Sequence, residues 1–231
     1  IANFCRARKM AESTFGRHAV NDGKFVSRLR DGARITPETL ARVTAYLQRY
    51  PEVQASCWFL DRVVNLVDEG MDVAVRIGDL PDSSLQAIRV GQVRRVLCAA
   101  PAYLERAGTP QSPADLAHHT VIAASGVTPH NDWRFAQGDH TVTTHVTPRL
   151  TVNTNDAALA AATAGFGLTR LLSYQVAAQL RDGTLADVLT DFEPVPLPVH
   201  LVHREGRHAS QRVRSFLDMA IAALRSDALL N

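Results

Sequence analysis

Long apolar runs are missing from this 231-residue sequence. No stretch approaches the roughly 18 to 20 apolar residues that a membrane-spanning helix needs, which excludes an integral helical membrane protein. Cysteine is scarce: Cys5, Cys57 and Cys98 are odd in number and far apart. That excludes a disulfide framework and a zinc site, and predicts free thiols in a reducing compartment. A secretory signal is also missing, because the basic start "IANFCRARKM" is followed by no apolar core and no small-residue cleavage site. The expected location is therefore the cytoplasm, with no membrane partner. Catalytic signatures are equally thin. There is no P-loop, no GxGxxG after a strand, no GxSxG and no HExxH. The pair His118-His119 has no neighbouring cysteine or carboxylate array to complete a metal site. The expectation is a protein that is not an enzyme, without metal or cofactor.

What is present is an ordinary globular composition, 46% hydrophobic and 21% charged, in a chain long enough for one large or two modest domains. A net charge of +2 conceals an asymmetry. Residues 1 to 50 hold ten Lys/Arg against four Asp/Glu, and the remainder fifteen against nineteen. A basic head on a mildly acidic body suggests a polyanion partner, most simply nucleic acid; a solvated basic helical surface is the alternative.

The head reads as short helices punctuated by turns. "VNDG" is a turn by composition, "KFVSRLRDG" a helix closed by Gly32, and "TPETLARVTAYLQRY" a helix with Thr36 as N-cap and Pro37 at its first position. Helix, turn and basic second helix describe a helix-turn-helix, with Lys24, Ser27, Arg28 and Arg30 on or beside the helix that enters the major groove. The stretch loosely resembles phage-repressor-type domains. A helical lid or dimerisation arm is the competing reading.

From about residue 51 strands and helices alternate. "VQASCWFL", "MDVAVRIG", "SLQAIRVG", "VRRVLCAA", "TVIAAS", "GLTRLL" and "LPVHLVHRE" read as strands, and "MDVAVRIG" as a buried one of the parallel-sheet kind. "DRVVNLVDEG", "PAYLERAG", "SPADLAHH", "SYQVAAQLRDG" and "SQRVRSFLDMAIAALRS" read as helices. "DWRFAQGDHTVTTHVTPRLTVN" reads as a hairpin turning near Gln137-Gly138-Asp139. The pattern predicts an α/β fold with mostly parallel sheets. One helix stands apart. "VNTNDAALAAATAGFGLTRLL" gathers its polar residues at one end, followed by alanines and a Gly-Phe-Gly stop. Helix N-termini hold anions through unpaired N–H groups and a positive dipole end, although capping alone also favours Thr, Asn and Asp there.

The order "RYPEV…DRVVNLVDEGMDVAVRIGDLPDSSLQAIRVGQVRRVLCAAPAYLERAGTPQSPADLAHH", continued by "DWRF", "VNTNDAALAAATAGFGLTRLL", "LRDGTLADVL" and "VHREGRHASQRVRSFLD", resembles the effector-binding domain of LysR-type transcriptional regulators over nearly all of residues 49 to 225. The resemblance implies a type II periplasmic-binding-protein-like fold, two α/β subdomains joined by two crossover strands and preceded by a small helical segment, residues 1–33. Subdomain I would hold residues 34–97 and 198–231, and subdomain II residues 98–197. It implies a small effector, anionic by the helix argument, in the cleft between them, and a homodimer or homotetramer on DNA. A transporter's solute-binding protein shares the fold and is the alternative.

Placed on that frame, the expected effector-binding residues are Asn153, Thr154 and Asn155 at the helix N-terminus and Arg76 and Gly78 where a strand turns. Ser125 and Gly126 are expected in a loop on the opposite wall, with Thr36 as a ligand-side hydroxyl and Phe166 and His203 as further wall residues. Bland roles compete for each: a cap, a structural ion pair, a core or rim position. The sequence also departs from the family. Its winged helix-turn-helix and long linker helix are not recognisable, and the helix from Pro37 to Tyr50 is claimed by both the head and the effector domain.

Overall fold

The computed structural model describes residues 45, 48–49, 55–58, 65–66, 68–124, 131–204 and 210–230. The expected DNA-contact residues Lys24, Ser27, Arg28 and Arg30, and the effector candidates Thr36, Ser125 and Gly126, lie outside the described residues, as does the helix-turn-helix expected in the head.

Two sheets organise the described chain. In the first, β1 (Val73–Ile77) and β2 (Gln86–Val93) flank β10 (Leu197–His203), and both pairings are antiparallel. The last helix, α4 (Gln211–Arg225), closes one face. Ser210 caps it by accepting the Val213 N–H, and Val213, Leu217, Ala220, Ile221 and Leu224 recur at three- and four-residue spacing. That stripe meets Val90, Val93, Val199 and Leu201. Beyond the helix, the Leu230 carbonyl accepts the Gln92 N–H at 2.7 Å. Gly91 is required by this crossing, because a Cβ there would stand 2.4 Å from the same oxygen.

In the second sheet the order is β7 (Leu150–Val152), β4 (Val121–Ala124), β8 (Leu168–Leu172), β3 (Arg95–Ala99), β9 (Ala186–Val188). Helices α2 (Asn155–Thr163) and α3 (Ser173–Asp182) bury Ala158, Ala162 and Val176 against Val96, Cys98, Ile122 and Leu171 on one face. The other face packs Leu97, Ala99, Val121 and Leu168 on helix α1 (Pro101–Ala107) and on the hairpin β5 (Asp132–Gln137) with β6 (His140–His145). The hairpin turns at Gly138, whose φ of 58° suits glycine, and Gly183 closes α3 in the left-handed region, both as predicted.

The chain changes sheet at Arg94 and returns between Phe192 and Leu197. An Arg94–Glu193 ion pair of 2.7 Å links the two connections. The outgoing strands β2 and β3 pair with the returning strands β10 and β9, both antiparallel, and among the described strands antiparallel pairs outnumber parallel ones. Only β4–β7 and β4–β8 are parallel among the described strands, so the expectation of mostly parallel sheets is corrected to mixed ones. Strand β1 is corrected likewise. Among the described strands it pairs only with β10, antiparallel, and Val75 is 53% and Ile77 36% exposed, so its apolar run is not covered on both faces. "SPADLAHH" forms a six-residue 3-10 turn, Pro113–His118, with the Asp115 carboxylate accepting the Gln111 and Ser112 N–H groups. Residues 55–58 of the expected strand "VQASCWFL" have no regular structure. Strand β9 and the 3-10 turn Thr190–Phe192 after it were not anticipated.

Candidate functional site

The three parallel strands β4, β7 and β8 end on the same edge of the second sheet. Helix α2 starts after β7 and α3 after β8, so two helix N-termini converge on that edge. In sheets of this kind ligands gather beyond the carboxyl ends of the strands. Thr154 is the N-cap of α2, with extended backbone and its Oγ1 accepting the Ala157 N–H at 3.3 Å. Asn155, the first helical residue, is 7% exposed, while Asn153 and Asp156 are open to solvent. The polar head of the helix thus divides into a cap, one inward side chain and two outward ones.

Between the two helix ends lies a small cavity of about 30 Å³, lined by Asn155, Gln175 of α3, Ala124 at the end of β4, and Arg95 and Arg170 on neighbouring strands. Register places the two arginines diagonally on one face, since Leu97 pairs with Arg170 and Arg95 with Leu172. Both are half-buried. The Arg170 guanidinium stacks 4.5 Å from the Trp133 ring centre and 5.8 Å from that of Phe135, and donates to the Arg134 carbonyl at 3.2 Å. Burial, reinforced by the charge of Arg95, brings Arg170 down to about 9, which leaves it cationic at neutral pH. Arg95 is lowered by burial and by Arg134, against the opposing pull of Asp79. Among the described residues neither Arg95 nor Arg170 forms a carboxylate ion pair. Two adjacent cations in a partly dry site, with amide side chains and helix N-termini around them, have the chemistry that suits an anion.

The site is wired to the crossover. The Ser173 Oγ accepts the Arg94 N–H at 3.1 Å, and the Ser173 N–H donates to the Arg94 carbonyl at 2.9 Å. The start of α3 therefore grips the residue that pairs with Glu193 on the returning connection.

Of the predicted effector residues, Asn155 lines this cavity. Thr154 positions α2 beside it as the cap. Arg76 and Gly78 stand at the end of β1, where the Gly78 N–H donates to the Pro198 carbonyl at 2.9 Å. From this turn it is Asp79 whose charge reaches Arg95. Phe166 lies beyond the opposite end of α2, beside a different and larger cavity, and is not brought to this group. His203 ends β10, opposite Val73 and Gln86, 7% exposed and with Nδ1 lacking a hydrogen-bond partner, also apart from the cavity. Sequence reading missed Arg95, Arg170 and Gln175. The available signal was a single arginine in each mostly apolar strand, at the start of "RVLCA" and in the middle of "LTRLL".

Two α/β halves joined by two connections, with a polar cavity at the strand ends of the second, have the architecture of a two-lobed binding domain. A family model described as the LysR substrate binding domain matches residues 32–225, and the chain belongs to that family. Similar proteins include the uncharacterized HTH-type transcriptional regulator YhjC of Escherichia coli K12, 31% identical over 80% of this chain and 63% of the relative. The HTH-type transcriptional activator AaeR of the same strain is 31% identical over 78% of this chain and 59% of its own. Among solved structures, CrgA, a LysR-type transcriptional regulator from Neisseria meningitidis, superposes with a TM-score of 0.71 at 25% identity, covering 80% of this chain and 63% of that one. The Vibrio cholerae virulence activator AphB gives 0.70 at 25%, covering 79% and 62%. The chain spans about 63% of the length of YhjC. These relatives are regulators rather than enzymes or transport proteins. No helix among the described residues is long and apolar enough to cross a membrane.

Proposed function

We propose that this chain is the sensing part of a LysR-type transcriptional regulator, and that its effector is a small anion held between Arg95 and Arg170 at the N-termini of α2 and α3. The observation that carries the reading is the pair of half-buried guanidiniums around a cavity, with no carboxylate ion pair among the described residues. A buried charge without a partner is costly, so an incoming carboxylate gains Coulomb energy that the empty protein lacks. Asn155 and the backbone N–H groups of two helix starts complete its hydrogen bonds, and Thr154 keeps α2 in place.

Signal transmission follows from the same geometry. Subdomain I corresponds to residues 34–97 with 198–231, and subdomain II to 98–197, the connections at Arg94 and Glu193 serving as hinges. An anion on Arg95, which stands on β3 of the second sheet, weakens the attraction of Asp79, which follows β1 of the first, and changes the relative placement of the two sheets. A ligand with different affinity for two lobe arrangements shifts their populations, and any attached DNA-binding unit moves with them. The protein works in the cytoplasm as a homodimer or homotetramer on palindromic half-sites. Lys24, Ser27, Arg28 and Arg30 contact DNA if the basic head is the reader.

The test is fluorescence anisotropy with DNA from upstream of the gene, over a salt series, using the complete gene product and the same protein lacking residues 1 to 33. Specific binding that responds to small carboxylates in the complete protein supports the regulator reading. Loss of binding on truncation assigns the reader to the head. Binding with no carboxylate response, across a panel of mono- and dicarboxylates, contradicts the effector assignment.

A further inference from the structure

A cavity of about 510 Å³ lies at the other end of the second sheet, beyond the end of α2 opposite to Asn155. Its walls are Tyr103 and Arg106 of α1, His118 and Thr120 before β4, Arg149 before β7, and Phe166 in the turn after α2. We infer that this cavity is a second ligand site, for an amphiphilic carboxylate whose charged end lies between Arg106 and Arg149 and whose apolar body lies on Phe166. It stands on different residues from the cleft site and does not depend on that reading.

Three features separate the cavity from an ordinary surface hollow. Its frame is fixed. The Tyr103 hydroxyl accepts the Thr120 N–H at 2.9 Å and shares a hydrogen bond with His119 Nδ1 at 3.1 Å, while the Thr120 carbonyl accepts the Leu168 N–H at 2.9 Å. Gly167 lets the turn approach so closely that a Cβ would stand 2.3 Å from that carbonyl. Secondly, the cations are held in place without being neutralised. Arg106 donates to the Gly165 carbonyl at 3.0 Å and lies over the Tyr103 ring, and Arg149 lies over the Phe166 ring with 5.6 Å between charge and ring centre. Neither has an ion pair among the described residues. Thirdly, Phe166 leaves 39% of its surface exposed here, an apolar wall beside two cations. A fixed frame lowers the ordering cost of binding, and arginine forks match a carboxylate. The volume lies within the roughly 300–1,000 Å³ range of small-molecule sites.

The probe is 3-(4-fluorophenyl)propionate, followed by fluorine NMR on the wild-type chain, with backbone amide shifts to locate it. Saturable binding should perturb the amides of Gly165, Phe166 and Arg106. Arg149→Gln should weaken that binding by about tenfold, the value of one charge-assisted contact. Arg106→Gln together with Arg149→Gln should abolish it, whereas Arg170→Gln, in the cleft, should leave these amide shifts unchanged. Both cavity arginines are solvent-exposed, so equal thermal midpoints certify that the variants fold. Probe shifts confined to the amides of Asn155 and Gln175, unchanged affinity in the double variant, or no saturable binding to the wild type would overturn the proposal.

Discussion

The two ends of the second sheet each present a pair of arginines backed by aromatic rings, and they use them differently. At the cleft end Arg95 begins β3 and Arg170 sits mid-strand in β8, both half-buried, with Trp133 and Phe135 beneath Arg170. At the far end Arg106 and Arg149 reach from a helix and a connection into open space, over Tyr103 and Phe166. Exposed charges are stabilised by water and cost little to leave alone. Half-buried ones of like sign raise the energy of the empty protein until an anion arrives. Where the cations stand relative to solvent, rather than how many there are, is the reason we propose the cleft end as the sensing site.

Perturbing each end separately sharpens the contrast. Trp133→Ala at the cleft end should have the largest effect, a loss of roughly 3–5 kcal/mol in urea denaturation. The ring is 3% exposed in the core and also supports the Arg170 guanidinium. A loss below about 1 kcal/mol would show that the hairpin is not part of the packed lobe. Next comes Gly167→Ala at the far end, where overpacking against the Thr120 carbonyl should remove about 1–3 kcal/mol. Its thermal midpoint should fall while anion binding at the cleft is kept. Thr154→Ala should cost about 1 kcal/mol, the usual value of a lost N-cap, and weaken carboxylate-induced stabilisation by loosening the start of α2. Unchanged stability together with an unchanged ligand response would remove Thr154 from the site's support.

A smaller effect is expected from pH. His119, beside the Tyr103 hydroxyl, titrates below the ordinary histidine value of 6.5 because burial disfavours its charged form. A group whose folded pKa is depressed contributes stability that is complete above the unfolded value and declines as pH falls through the folded one. Thermal midpoints should therefore decline more steeply below pH 6.5 in the wild type than in His119→Gln. Parallel curves would contradict the assignment.

Much of the frame was legible from residue patterns, and the site's key cations were not. The hairpin around Gly138, helix α3 closed by Gly183 and the capped start of α2 follow from local chemistry, so "QGD", "RDG" and "NTND" were sufficient. The apolar run "VAVRI" misled, because composition does not say whether a strand is central or an edge. Arg95 and Arg170 stand 75 positions apart and become neighbours only through the β3–β8 register, which no local window contains. Phe166 and Asn155 lie close in sequence, yet the length of α2 puts them at opposite ends of the lobe.

The central claim is that Arg170 is kept at a cost in the empty protein and stabilised by an anion. Differential scanning calorimetry of the wild type and Arg170→Gln, each without and with saturating carboxylate effector from the anisotropy panel, tests it directly. The account predicts that the variant melts at the same temperature as the wild type or higher when no effector is present, and lower once it is added. A variant that melts lower in both conditions, with an undiminished effector shift, would contradict it.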